Sequence, residues 1–437
     1  MGVVAAISRL YAPVRSVSER TALGLLAGRT DNGCSKVRET STDERRPEGP
    51  TMQITHFELR NWRNFKHVDI DVGPRLFVFG PNASGKSNLL DAFRFLQDLT
   101  LDGGGLQKAV RDRGGMKRIR NLAARNFNKS RVLLSLALGD ESNPRRWEYE
   151  LTFTAEKTGR HRPVVVSEVV RHDGQPVLSR PHQADDNDSE RLTQTALEQV
   201  SSNAEFRDVS NFLTSVRYLH LVPQIIRDPE RGADRVDDPF GGDFLSRVGR
   251  ATDADRNRRL AVINAALRLA VPQLETLELN RDNDHRPHLG ARYKHWRSAG
   301  ARQDEADFSD GTLRLIGLLW TLQERGSQTG PILLEEPELS LHEEVVRQLP
   351  TIMARATKAT RRQVIATTHA SDLLLDDGLG LDEVLILTPS DEGTTAALAN
   401  SLADVRSFVE SGFNLQEALA KALTPESIYQ LSFLKFS

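Results

Sequence analysis

Apolar and polar positions fall into regular patterns from residue 52 onward. Residues 52–60 and 68–72 read as two strands around the turn Asn61-Trp62-Arg63-Asn64-Phe65. The unbroken apolar run Leu76-Phe77-Val78-Phe79 predicts a buried strand. Leu89, Leu90, Phe93 and Leu96 then share one face of a helix. Over 131–180 the period returns to two, as in a small antiparallel sheet. Trp147, Tyr149, Leu151 and Phe153 alternate with polar residues, 164–170 is another apolar strand, and Asp173-Gly174 is a hairpin turn. The acidic stretch 183–190 reads as a solvated loop, followed by two helical stretches and a strand near 216–221. Residues 228–258, rich in Asp, Arg and Gly, read as irregular ahead of a helix at about 255–270. A strand pair near 274–279 and 288–293 follows. Residues 312–322 are apolar nearly all round, the mark of a buried helix, and Ile332-Leu333-Leu334 and Val364-Ile365-Ala366 are buried strands. Pro350 predicts a kink in the helix after the first of these. Strand and helix alternate here, which predicts a sheet with helices on its faces.

Composition sets the outer limits. The chain of 437 residues can form one large domain or two ordinary ones, and 38% hydrophobic with 27% charged residues suits a soluble protein with a real core. No apolar run approaches the roughly 20 residues that span a membrane. A net charge of −2 favours no partner, so a nucleic-acid contact has to be a local patch. The lone cysteine, Cys34, excludes an internal disulfide framework and a cysteine-based zinc site and fits a reducing cytoplasm. Residues 1–51 show no sustained periodicity, end in a charged stretch and lack the apolar core of a signal peptide. A disordered or mis-assigned extension, with Met52 the natural start, is expected ahead of a flexible or cleaved leader.

Four clusters carry chemistry. Residues 80–87 read Gly80-Pro81-Asn82-Ala83-Ser84-Gly85-Lys86-Ser87, with Asn88 next, between a predicted strand and a predicted helix. Glycines at this spacing let backbone N–H groups close around phosphate, and the helix N-terminus adds partial positive charge. Lys86 is placed to reach the β- and γ-phosphates of ATP, and the Ser87 hydroxyl to bind Mg²⁺. Pro331-Ile332-Leu333-Leu334-Glu335-Glu336-Pro337-Glu338 is an apolar strand ending in carboxylates. Alone it would be a solvated acidic turn; behind a phosphate loop it places Glu335 towards Mg²⁺ and Glu336 towards the attacking water. Phe308-Ser309-Asp310-Gly311-Thr312 opens the buried helix, where a serine is an ordinary N-cap or an anion contact. Thr367-Thr368-His369-Ala370-Ser371 closes the last buried strand and puts His369 on the ligand side of the sheet.

Taken in order, these clusters resemble the ABC-type ATPase heads of the SMC, RecF and OLD-like group, and most of all its small stand-alone ATPases. The resemblance covers about 52–437. It implies an α/β P-loop NTPase whose mostly parallel core sheet is flanked by helices and joined to an N-terminal antiparallel β-subdomain. One lobe would span about 52–227 and the other about 228–437. It also implies residue roles. Residues 80–87 would be the Walker A loop, Glu335 and Glu336 the Walker B pair with Glu336 the base, Ser309 and Gly311 the signature, and His369 the switch histidine. Leu339-Ser340-Leu341-His342 looks like the D-loop, and Gln224 is the residue for the Q-loop. The implied protein is an ATP-dependent homodimer that hydrolyses ATP with Mg²⁺, serving DNA repair or defence against foreign DNA. DNA or a separately encoded nuclease would be its partner. The alternative is a switch acting on a protein effector. Glu335 departs from the usual Asp, and Asp310 from a transporter-type glycine. No long coiled coil separates the lobes, and Asp391-Glu392 reads as a hairpin turn rather than as nuclease ligands. A basic cluster, Arg111, Arg113, Lys117, Arg118, Arg120, Arg125, Lys129 and Arg131, is either a phosphate-binding patch or an exposed loop.

Overall fold

The segments flanking the phosphate loop join one twelve-stranded sheet in a computed structural model that describes residues 52–121, 131–228, 237–294, 301–325, 329–423 and 433. The extension at 1–51 lies outside the described residues, as do Arg125 and Lys129. In chain order the strands are β1 (Gln53–Trp62), β2 (Phe65–Asp71), β3 (Arg75–Phe79), β4 (Val132–Gly139), β5 (Trp147–Ala155), β6 (Pro163–His172), β7 (Gln175–Arg180) and β8 (Arg217–Leu219). A separate three-stranded sheet holds β9 (Leu274–Arg281), β10 (Pro287–Tyr293) and β11 (Ala301–Asp304). The main sheet is completed by β12 (Ile332–Glu335), β13 (Val364–Thr368), β14 (Val384–Ser390) and β15 (Gly393–Leu398). Its order is β7-β6-β5-β4-β1-β2-β15-β14-β3-β13-β12-β8.

The five strands from β14 to β8 run parallel. The antiparallel strands form a wing of the same sheet, joined where Thr394 of β15 pairs with Phe65 of β2. Strand β3 lies between β13 and β14, so the first and second halves of the sequence interleave. This explains its unbroken apolar run. Leu76 and Val78 enter one core with Leu89 and Phe93, while Phe77 and Phe79 enter the other with Leu313, Ile316 and Met353. A strand covered on both faces has no polar side to alternate with. Asp391 and Glu392 form the turn of the β14–β15 hairpin, as expected.

Three expectations are corrected. Residues 183–190 are solvated as expected except at Asp185, but they are helical rather than a loop: Gln183–Asn187 is a helical turn followed by the 3₁₀ turn Ser189–Thr193. Asp185 is fully buried there against Arg180 at 2.8 Å, and Arg180 also meets buried Glu168 at 3.1 Å. Glu168 further accepts from the Ala196 and Leu197 N–H groups. Acidic composition marked the whole stretch as wet; a buried guanidinium is what holds Asp185 alone inside. Within 228–258, Phe244–Arg250 is a helix because Phe244, Leu245 and Val248 fall on one buried face. Pro350 kinks nothing, since it sits in the first turn of the helix Leu349–Thr360, where its missing N–H has no partner to lose.

The Asp185 cluster predicts a pH response. Burial alone would raise this carboxyl, but Arg180, the His182 N–H and Arg191 outweigh it and hold it at about 2, below the usual 3.8. Its stabilisation is therefore complete above 3.8 and lost as pH falls towards 2. Asp185→Asn should unfold at lower urea than the wild type near neutrality. That gap should narrow through the same acid range; a constant gap would refute the assignment.

Candidate nucleotide site

The C-terminal ends of three adjacent parallel strands meet at one edge. In register, Glu335 of β12 lies beside Thr367 of β13, and Thr368 beside Phe79 of β3. The chain leaves β3 into the loop 80–85 and re-enters order as the helix Lys86–Thr100. Gly85 takes φ +99°, and a Cβ there would strike the Asn64 side chain, so only glycine serves. Lys86 is buried and bends back over the loop, donating to the Gly80 carbonyl at 2.8 Å and the Pro81 carbonyl at 3.2 Å. Burial pushes its ammonium below the ordinary lysine value, and Glu336, Glu338 and Glu335 only partly oppose this.

The acidic strand end supplies the other wall. Glu335 accepts hydrogen bonds from the Ser87 hydroxyl and from the Tyr218 phenol. Tyr218 lies next door on β8, under the Arg94 guanidinium at 4.1 Å, and burial with the Glu335 carboxylate raises its phenol well above the usual value. A hydroxyl and a carboxylate in direct contact are hard oxygen ligands of the kind Mg²⁺ takes one or two at a time, so these residues fit that ion. Tyr218 also fixes the longer Glu335 side chain. Glu336 turns the chain at φ +46°, a left-handed conformation rare for a non-glycine residue, and its carboxylate meets His369 Nε2 at 2.9 Å. His369 Nδ1 lies 3.2 Å from Lys86 Nζ. Buried Glu338 accepts from the Thr368 hydroxyl at 2.7 Å and the His369 N–H at 2.9 Å, fixing the backbone under the histidine.

The structure thus brings Gly80, Lys86, Ser87, Glu335, Glu336 and His369 together. Asn88 joins them through the turn at Asn64: it donates to Asn64 Oδ1 at 2.7 Å, and Asn64 donates to the Ser84 carbonyl at 2.8 Å. Ser309 caps the helix Asp310–Leu322 by accepting from the Thr312 N–H at 3.2 Å. Gly311 packs so closely on the Ser340 carbonyl that a Cβ would clash. Gln224 donates to Asp310 at 3.1 Å, and Arg227 pairs with Asp310 at 2.7 Å. Among the described hydrogen bonds, none joins Ser309, Gly311 or Gln224 to the loop 80–87 within one chain.

The basic cluster is divided. Arg113 points inward, paired with Asp91 at 3.0 Å and Asp98 at 2.7 Å over the Phe95 ring, so it belongs to no surface patch. Lys117, Arg118 and Arg120 line a cavity of about 520 Å³ together with Arg63, Asn64 and Asn88 beside the phosphate loop. The sequence reading missed Tyr218, Asn64, Arg63 and Glu338. Only Glu338 carried a signal, as the last carboxylate of its motif.

Residues 76–376 match the family described as "AAA domain, putative AbiEii toxin, Type IV TA system". The chain belongs to this AAA-domain family. Over 46 residues it is 50% identical to the DNA replication and repair protein RecF of Lactobacillus gasseri, covering 10% of this chain and 12% of that protein. The RecF protein of Roseiflexus castenholzii is 41% identical over 46 residues, with the same 10% and 12% coverage. The match thus spans only about an eighth of these relatives' length. Among solved structures, the SMC head domain from Thermotoga maritima aligns at TM-score 0.42 and 14% identity, covering 79% of this chain and 98% of that one. An SMC head bound to the C-winged helix domain of ScpA aligns at 0.44 and 13%, covering 80% and 100%. Among the described residues no helix is long and apolar enough to cross a membrane.

Proposed function

We propose that this chain binds ATP with Mg²⁺ and hydrolyses it, and that the cycle closes and opens a pair of chains. The observation that carries this reading is the convergence of Lys86, Ser87, Glu335, Glu336 and His369 at three neighbouring strand ends. The loop N–H groups and Lys86 bind the phosphates. Ser87 and Glu335 would hold Mg²⁺, which would offset phosphate charge. Glu336 takes the proton of the attacking water, and His369 orients Glu336. Among the described residues Ser309 and Gly311 make no hydrogen bond to the phosphate loop of their own chain, which supports their completing the site of a second copy. Phosphate release from purified protein with ATP and Mg²⁺, abolished by EDTA, tests the reaction. Light scattering with and without ATP tests the pair.

The relatives' printed name supports a role in DNA repair, and the family description names a putative toxin of a Type IV TA system. DNA or a separate nuclease is then the partner. The second reading, a switch on a protein effector, is favoured by the division of the basic cluster, since Arg113 is internal and Lys117, Arg118 and Arg120 face the nucleotide side. DNA added at low salt should raise the ATPase rate under the first reading. No stimulation together with no DNA binding would transfer support to the second.

A further inference from the structure

The helix Leu415–Leu423 reaches the nucleotide site from the far end of the described chain. A cavity of about 410 Å³ lies between it and the site, lined by Gly80, Pro81, His369 and Ser371 on one side and by Gln416 and Ala420 on the other. Across its edge Gln416 Nε2 donates to Ser371 Oγ at 3.1 Å. Ser371 opens the 3₁₀ turn Ser371–Leu375, two positions after His369. The segment 368–371 therefore has two anchors. Glu338 holds Thr368 and the His369 N–H from inside the fold, and Gln416 holds Ser371 from outside.

From this geometry we infer that Gln416 is a positioning residue for His369, so that the helix Leu415–Leu423 sets the ATPase rate. The inference rests on the hydrolytic reading above. His369 bridges Lys86 at 3.2 Å and Glu336 at 2.9 Å, so a small rotation of its segment changes both contacts. Productive geometry in such sites tolerates little displacement. The helix does not need Gln416 to stay docked. Leu419 is fully buried in the core that also holds Leu373 and Leu374, and Leu415, Ala418 and Leu423 pack against it. Buried leucines outweigh one half-exposed hydrogen bond, so removing the amide frees the switch turn and leaves the helix in place. The capping box between Asn414 and Glu417 is likewise independent of Gln416.

Gln416→Ala should lower kcat about tenfold, with KM and the affinity for a fluorescent ATP analogue unchanged. Ser371→Ala should do the same, and the double variant should be no slower than either single one, because all three lose one hydrogen bond. Gln416→Glu, which can accept from the Ser371 hydroxyl, should recover most of the rate. Additive effects, an unchanged kcat or a changed KM alone would overturn the inference. A readout without turnover separates it from the enzymatic reading: the His369 ring resonances, assigned by their loss in His369→Gln, should move in Gln416→Ala. Unmoved resonances overturn the positioning contact. Resonances that move in Gln416→Ala while the wild-type protein releases no phosphate would sink the hydrolytic reading and leave the contact standing.

Discussion

A Glu336→Gln protein should bind ATP and Mg²⁺ as tightly as the wild type, hydrolyse ATP about 10²–10⁴-fold more slowly, and accumulate as a dimer. The rate loss is the usual worth of a positioned general base. The amide keeps the size of the side chain, and its oxygen can still accept from His369 Nε2, now 2.9 Å from the carboxylate. The backbone at φ +46° is set by the hydrogen bond from the Glu336 N–H to the Thr367 carbonyl at 3.0 Å, which the substitution leaves alone. Only the capacity to take a proton from water disappears. If the γ-phosphate bridges two chains through Ser309 and Gly311, a protein that cannot remove it stays closed. Phosphate release and light scattering in ATP read the two effects separately. Turnover within tenfold of wild type would remove Glu336 as the base. A slow protein that stays monomeric in ATP would keep the base and discard the bridging pair.

The site was legible in the sequence where its chemistry is local. The loop 80–87 is contiguous, and its neighbours announced a strand and a helix. Glu335, Glu336 and His369 were legible because each ends an apolar run, and a run covered on both faces has to be a central strand. What could not be read came through strand pairing. Tyr218 reaches Glu335 across 117 positions of sequence because β8 lies beside β12, and nothing in the residues around Tyr218 marks that neighbour. Asn64 and Gln416 arrive in the same way, through a turn and a helix that pack on the site from other parts of the chain. Charges misled where burial had been judged from polarity. Arg113 and Asp185 look exposed in a sequence, yet an ion pair draws each side chain inward. The antiparallel wing was legible from its period of two; its fusion to the parallel strands was not, since it rests on the short pairing of β15 with β2.

Lys86→Met should abolish the stabilisation that ATP confers while changing the nucleotide-free protein by no more than about 1 kcal/mol. Two opposing effects set the second figure. The lysine donates to the Gly80 and Pro81 carbonyls, and its loss leaves them without that donor. Against this, burial makes the cation costly, which is why its pKa falls despite three nearby carboxylates. A neutral side chain of similar length ends that cost. The site holds a lysine bent onto its own loop, a serine bonded to Glu335 and a glutamate paired with His369. Phosphate gives the buried cation the counter-charge that the fold supplies only in part. Wild-type protein at a hundredfold excess of ATP over its Kd should therefore gain about 2.7 kcal/mol, and Lys86→Met almost none. Urea unfolding with and without ATP measures both quantities. A variant that ATP still stabilises would remove Lys86 from the phosphate contact. One that loses several kcal/mol without ATP would make the residue a part of the fold first and of the site second.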